Sequence, residues 1–237
     1  MNSAMWYRWL TVVSMFLLLV ISTVWGQAST PPQENDSGGC FLSAKADRDI
    51  TTRVVEAQTV IRRDQYDALM NILSGLSHAF RVSPKFYIYD DRGSANAFAT
   101  KEIHDSEYRD GAVMFGTKLI ASEPEQTGFA NYTIAAIMAH EFAHIVQFKN
   151  GSTLSTSQKE LQADYLAGWY TANHGPAGIA ESQALISFYR KGDYGFNDPD
   201  HHGTPEERLR AVQAGVKDAR STPEQALNNS KQFVSQN

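Results

Sequence analysis

The stretch "IMAHEFAHIVQ", Ile137–Gln147, places two histidines four residues apart in a run that is otherwise apolar and rich in alanine. The spacing of its apolar residues predicts a helix over Thr133–Lys149, which Asn131 or Thr133 can cap and Gly151 can end. Imidazole and carboxylate groups inside a core helix are costly to bury unless each has a polar partner. The nature of that partner decides both the fold around this helix and its function.

Residues four apart on a helix lie on the same face, so His140 and His144 point in one direction, about one turn apart. Two imidazoles in this arrangement can bind one Zn²⁺ at about 2.0–2.1 Å each. Glu141 lies beside them, where its carboxylate can take a proton from a water molecule without binding the metal. The alternative is a core helix whose histidines are hydrogen-bonded to other buried groups. A chance H-E-x-x-H is rare in a chain of this length, which favours the metal site.

A catalytic zinc site has three protein ligands and one open position, so a third ligand must come from a neighbouring element. A second helix is predicted over Thr156–Asn173. One of its faces carries two acids among alanines: Glu160, Ala163, Asp164 and Ala167. The two acids compete for the ligand role. We expect Glu160 to bind the metal, and the shorter Asp164 to accept the second N–H of a histidine.

The remaining pattern predicts a compact α+β domain, mostly helical with a small β-sheet. Helical spacing of apolar residues runs over Asp49–Phe80, with a break near Asp64, and polar residues after Arg220 indicate a frayed tail. Two short runs have the composition of strands, Lys85–Asp91 and Gly111–Gly116. Two further helices are predicted, one over Ile179–Arg190 and one that begins at Thr204 as N-cap, with Pro205 at its first position and Glu207 closing a capping box.

Composition and the N-terminus limit the classes of function. The chain has 237 residues, a net charge of −5 and a pI near 5.8, so no basic surface predicts binding to nucleic acid. Cys40 is the only cysteine, which excludes an internal disulfide. Arg8 precedes the uncharged apolar run Leu10–Trp25, and small residues follow it. The run is shorter than the ~20 residues of a spanning helix, which favours a cleaved signal peptide. The alternative is an uncleaved anchor formed by residues 10–25, the only segment predicted to contact a membrane.

Several motifs together resemble a known family. H-E-F-A-H at 140–144 and E-L-Q-A-D at 160–164 are similar to the gluzincin metallopeptidases that include the HtpX heat-shock proteases and the CAAX prenyl proteases. "NAFA" at Asn96–Ala99, the following "AVMFGTKLI" and "HGTPEER" at His202–Arg208 also resemble segments of that family, in the same order. The similarity covers roughly Lys85–Ala211. The chain departs from the family in having one apolar segment at most, and in having Gly203 where proline is usual.

The resemblance implies a zincin-like domain in which Glu160 is the third zinc ligand and Glu141 the general base. It further implies that His202 stabilises negative charge on the substrate carbonyl oxygen, while Arg208 holds its segment in place. The preceding His201 is the alternative to His202. An extended polypeptide would bind along an edge strand, in contact with Asn96, Ala112, Val113 and Met114.

The sequence therefore predicts an exported zinc metalloendopeptidase, periplasmic or secreted, with one zinc ion per chain and a function in envelope or secretory protein quality control. Its expected parts are a signal peptide at 1–28, a disordered linker at 29–46, a gluzincin metallopeptidase domain at 47–220 and a flexible tail at 221–237. The competing hypothesis is a non-enzymatic binding or chaperone-like protein that retains a zinc site. The presence of Glu141 argues against it, because a structural site needs no base.

Overall fold

A small mixed β-sheet and seven helices make up the part of the chain that the computed structural model describes, residues 53–92, 95–101, 107–127, 130–175 and 202–236. All of these residues belong to one compact unit, Ser37–Asn237. The strands are β1 (Val54–Val55), β2 (Lys85–Tyr89), β3 (Ala97–Thr100) and β4 (Ala112–Gly116). The helices are α1 (Ala57–Val60), α2 (Arg63–Phe80), α3 (Thr117–Thr127), α4 (Ala130–Lys149), α5 (Thr156–His174), α6 (Pro205–Lys217) and α7 (Pro223–Gln236). The α+β class, mostly helical with a small sheet, is confirmed.

The sheet has the strand order β1-β2-β4-β3. Strands β2 and β4 run parallel, and β1 and β3 flank them in the antiparallel direction. The two predicted strand runs are confirmed as β2 and β4, each slightly shorter than its apolar run. Strand β3 was not predicted. It packs against α4, and so links the sheet to the helix that carries the two histidines.

The prediction that β4 is an edge strand is wrong. Strand β4 pairs with β2 on one side and with β3 on the other, so its main-chain groups already have partners. Ala112, Val113 and Met114 are each 0% exposed. An extended peptide therefore cannot add to this strand, and these three residues form part of the core.

The predicted helical stretch Asp49–Phe80 is only partly correct. The break near Asp64 is confirmed, because α2 begins at Arg63. Before it, Val54 and Val55 form a strand that pairs with Tyr89 and Ile88, and only the single turn of α1 is helical. Two adjacent β-branched residues at the sheet edge outweigh the helical spacing of the surrounding apolar residues.

The histidine helix α4 is buried on all sides from Ala136 to Gln147. It begins at Ala130, a turn earlier than predicted, and Gly151 ends it at a φ of 61°, as expected of a left-handed stop. Helix α5 extends one residue beyond its predicted end and starts with a capping box between Ser155 and Gln158. A helix with no exposed face must satisfy every polar side chain internally.

Asp91, in the turn after β2, caps the start of helix α3, which is distant from it in sequence. The carboxylate of Asp91 accepts hydrogen bonds from the backbone N–H groups of Lys118 (3.0 Å) and Leu119 (3.2 Å), and from that of Asn96 (3.3 Å). Asp91 thus caps α3 from another element and joins it to the start of β3. Gly116 permits this approach, because a Cβ there would lie 1.9 Å from Asp91 Oδ2.

Helix α6 begins as predicted, with Thr204 as N-cap, Pro205 in the first turn and Glu207 closing the capping box. It then crosses α5 at very short range. A Cβ on Gly168 would lie 2.3 Å from the carbonyl oxygen of Val212, and one on Gly215 would lie 1.8 Å from that of Tyr165. Glycine at both positions therefore sets the distance between the two helices.

The predicted flexible tail at 221–237 is wrong, because Pro223–Gln236 forms helix α7. Its buried residues Ala226, Ser230 and Val234 are spaced four apart, so they form one face that packs on α5. The hydroxyl of Thr222 accepts a hydrogen bond from the backbone N–H of Gln225 and completes a cap of the same kind as that of α6. The C-terminal segment is thus part of the domain.

Three other predictions fall outside the described residues: the signal peptide at 1–28, the linker at 29–46 and the helix at Ile179–Arg190. No helix within the described ranges is both long and apolar enough to cross a membrane. The apolar run Leu10–Trp25 lies outside those ranges.

We predict that Gly215→Ala lowers the free energy of unfolding by about 2–3 kcal/mol, since its methyl group would force α5 and α6 apart. Chemical denaturation of the metal-free protein measures this loss. Gly151→Ala is the control: it has open space around the new methyl group but a positive φ, and should cost about 1 kcal/mol. An equal effect of the two substitutions would contradict the close helix contact.

Candidate metal centre

Three side chains from α4 and α5 converge on one point in the interior. His140 Nε2 lies 3.0 Å from His144 Nε2, and the two nitrogens lie 3.2 and 3.3 Å from the carboxylate oxygens of Glu160. All three residues are at most 2% exposed. Together they form a group that can hold a metal ion. The expectation that these three residues form a group able to bind a metal ion is confirmed.

The spacing of these atoms fits a tetrahedral centre. Ligands that bind zinc at about 2.0–2.1 Å from tetrahedral corners lie about 3.3–3.4 Å from one another. The observed separations of 3.0–3.3 Å are close to this value. Two imidazole nitrogens and one carboxylate oxygen also form a donor set that transition-metal ions accept, whereas Ca²⁺ and Mg²⁺ prefer oxygen ligands alone. The residues therefore fit a zinc-type ion.

Asp164 lies on the other side of the His140 ring. Its Oδ1 is 2.8 Å from His140 Nδ1, and its two oxygens accept hydrogen bonds from Arg208 Nη2 and Nε, both at 2.7 Å. Because the carboxylate can only accept, Nδ1 carries a proton on the side that faces Asp164. Nε2 is then the ring nitrogen that faces His144 and Glu160. Asp164 orients His140, and Glu160 is the acid that faces both Nε2 atoms.

The charges around His140 favour a cation. Burial opposes the charged form of this imidazole, but its contacts with Asp164 and Glu160 outweigh burial and raise its pKa to about 9. Burial would raise the pKa of Glu160, yet the two histidines hold it well below its usual range. Arg208 likewise overcomes burial and lowers the pKa of Asp164. Both acids are therefore anionic in the interior, where a positive charge between them is stabilised.

Glu141 follows His140 on α4 and is 1% exposed. It lies close enough to Tyr89, at the end of β2, to influence that side chain. The pKa of the Tyr89 hydroxyl is raised well above its usual value by burial first, then by the negative charge of Asp91, with a smaller contribution from Glu141. The predicted base is thus a buried carboxyl group.

Asn96, which was expected to contact substrate, has its backbone groups engaged at the start of β3. Its backbone N–H donates to Asp91, and its carbonyl accepts from the backbone N–H of Gly116 at 2.9 Å. These contacts fix the start of β3 on β4. Of the four predicted peptide-binding residues, none therefore offers main-chain groups at an open sheet edge.

His202 lies close to one of the three converging residues, whereas Arg208 contacts their neighbour Asp164. His202 Nδ1 lies 3.5 Å from a carboxylate oxygen of Glu160, and its side chain is 13% exposed, more than those of the three converging residues. Arg208 is 1% exposed and contacts Asp164, so it stabilises the orientation of His140. Gly203, which stands between them in the turn, has a φ of 93°. Proline cannot adopt that angle, which explains this departure from the family pattern.

Sequence reasoning missed one contact of a metal-binding side chain. His144 Nδ1 lies 2.9 Å from Oε1 of Gln147. Gln147 is three residues after His144 and seven after His140, so helical spacing places it on the same face as both. A polar residue at this position of an apolar run could therefore have been predicted from the sequence to contact one of the histidines.

We predict that Arg208→Ala lowers the free energy of unfolding of the metal-free protein by about 3–5 kcal/mol, because Asp164 would remain buried without its counter-charge. Urea denaturation provides the measurement. The double variant Asp164→Ala/Arg208→Ala should lose less than the sum of the two single variants. Arg63→Ala, which breaks the exposed pair with Asp67, is the control and should change stability very little. A similar small loss for Arg208→Ala would contradict the buried ion pair.

No protein-family model matches the chain, and neither a curated protein nor a solved structure matches it. The functional assignment therefore rests on the residues and geometry of the site and on the motif resemblance.

Proposed function

We propose that this chain is a zinc-dependent endopeptidase of the gluzincin type. The observation that carries the proposal is the convergence of His140, His144 and Glu160, from two helices, on one buried point. A structural zinc site is usually closed by four protein ligands, whereas a catalytic site has three and leaves one position for a reacting group. Three converging ligands, and a buried acid at Glu141 that directly follows one of them in sequence, support a catalytic site.

The reaction class follows from Glu141 and its surroundings. A zinc ion held by the three ligands would polarise a water molecule and the carbonyl oxygen of the substrate. Glu141 takes the proton of the attacking water and transfers it to the departing nitrogen. Asp164, supported by Arg208, keeps His140 in the tautomer that presents Nε2 to the metal. The orientation of His140 is thus set before substrate arrives.

His202 is proposed to stabilise the negative charge that develops on the carbonyl oxygen. Its nearness to Glu160 and its greater exposure support a position at the rim of the metal group. A positioned donor at such an oxygen is worth about 2.7–4 kcal/mol of transition-state stabilisation. Arg208 is proposed to be a positioning residue, because it acts through Asp164.

The substrate and the location are proposed from the sequence. The motif resemblance supports a peptide bond in an extended polypeptide, and the uncharged run Leu10–Trp25 supports export to the periplasm or the exterior. The proposed binding of substrate does not involve Ala112, Val113 or Met114, which lie in the middle of the sheet. A function in envelope or secretory protein quality control would suit an exported peptidase.

We predict that Glu141→Gln retains about one zinc ion per chain but lowers peptide hydrolysis at least about 10²-fold, because all three ligands remain while the proton acceptor is lost. Zinc analysis after dialysis and cleavage of a peptide library by the purified protein provide the two measurements. Glu160→Gln is the matched comparison and should lose zinc as well as activity. A fully active Glu141→Gln protein would rule out the proposed base.

We predict that His202→Ala lowers kcat and kcat/KM together, by about 10²–10³-fold, while zinc content and KM stay nearly unchanged, since the lost interaction forms only in the transition state. Steady-state kinetics on one good peptide substrate measure both constants. His201→Ala is the control for the neighbouring histidine. If only His201→Ala impairs cleavage, the role belongs to the other member of the pair.

A further inference from the structure

A chain of buried polar side chains connects the C-terminal helix α7 to the imidazole of His144. Gln147 Oε1 faces His144 Nδ1, and the Gln147 amide group donates to Gln162 Oε1 at 3.0 Å. Gln162 then donates to the hydroxyl of Ser230 on α7 at 3.1 Å. The four side chains come from α4, α5 and α7, and none is more than 3% exposed. Four buried polar groups in series form a continuous connection with little access to water.

The direction of every hydrogen bond in this chain is fixed by two backbone carbonyl groups, which can only accept. The Ser230 hydroxyl donates to the carbonyl of Leu227 at 2.8 Å, so its oxygen is left to accept from Gln162. Gln147 Nε2 donates to the carbonyl of Lys159 at 2.8 Å, so the NH₂ group of this amide faces α5. Its oxygen must then face His144. The amide orientations follow from the network itself.

We infer that Gln147, Gln162 and Ser230 are positioning residues that hold His144 in the Nδ1–H tautomer and thereby make α7 part of the metal site. Gln147 presents only an acceptor to Nδ1, which must therefore carry the proton, and Nε2 keeps its lone pair toward His140 and Glu160. The Nδ1 of His140 faces the carboxylate of Asp164 instead, so the two imidazoles are oriented by separate means. An outer partner of a metal ligand typically changes metal affinity 10–100-fold.

This inference rests on the proposed metal site, and two measurements on the full chain test it. The first is the dissociation constant for zinc, obtained by competition with a chromophoric chelator. We expect Gln147→Leu to weaken zinc binding about 10–100-fold, and Ser230→Ala about three- to tenfold, because the serine acts through two amides. Thr171→Val is the matched control: it removes a buried hydroxyl on α5 whose hydrogen bonds within the described part of the chain go to the carbonyls of Ala167 and Gly168. Its zinc affinity should equal that of the wild type.

The second measurement is the histidine tautomer in the metal-free protein, read from ¹⁵N chemical shifts of the imidazole nitrogens. We expect His144 to be the Nδ1–H tautomer in the wild type and in Thr171→Val, and to lose this preference in Gln147→Leu. A wild-type His144 protonated on Nε2 would overturn the inference. So would a Ser230→Ala protein with wild-type zinc affinity, or an equal loss in Thr171→Val.

Failure of the proposed function and failure of the inference about His144 give different experimental results. If the wild type does not bind zinc, the proposed function fails, and the tautomer measurement still decides whether the polar chain orients His144. If Gln147→Leu does not fold, Ser230→Ala carries the affinity test, because it removes one hydroxyl at a residue whose neighbours on α7 stay in place. Zinc binding by the wild type together with a graded loss along the chain supports both the site and its connection to α7.

Discussion

The contact between Asp164 and Arg208 is the constraint on which the arrangement of the helices depends. Both side chains are fully buried, and a carboxylate and a guanidinium removed from water are tolerated only in good mutual geometry. The two hydrogen bonds at 2.7 Å require α6 to approach α5 closely, which Gly168 and Gly215 allow. The same carboxylate faces His140 on α4. One buried acid therefore determines how three helices meet and how the imidazole of His140 is oriented.

Small residues on α4 and α5 make the rest of the site possible. Ala139 and Ala143 on α4, and Ala163 and Ala167 on α5, are 0% exposed. Their short side chains let the two helices approach until the nitrogens of one reach the carboxylate of the other. Larger residues at these positions would separate the ligands by more than one ion can span. The alanines thus determine the dimensions of the metal group, just as the glycines determine those of the α5–α6 contact.

The parts of the fold that were predicted from sequence are those specified by local signals. Periodicity located α4, α5 and the faces that carry Glu160 and Asp164, and the predicted capping box located the start of α6. The errors arose where pairing is non-local: the position of β4 within the sheet depends on β3, which has no strong strand signal of its own. The error at helix α7 had another cause, because this helix does carry local signals. Thr222 and Gln225 form a cap, and Ala226, Ser230 and Val234 share one face. That signal was present, but the polar composition of the segment obscured it.

The balance of buried charge gives an independent reason for a cation at this site. Around the two histidines, Glu141, Glu160 and Asp164 are each at most 1% exposed, and Arg208 is the one similarly buried guanidinium among the described residues. Three buried carboxyl groups thus lie with a single buried guanidinium, a set that favours a further positive charge in the interior. The contacts with Asp164 and Glu160 that raise the pKa of His140 act in the same direction, because they favour a proton on that imidazole. A divalent ion bound to the same nitrogens would supply that positive charge, and it would satisfy the lone pairs of both Nε2 atoms and of Glu160 at once. Electrostatics and ligand geometry therefore favour the same occupant.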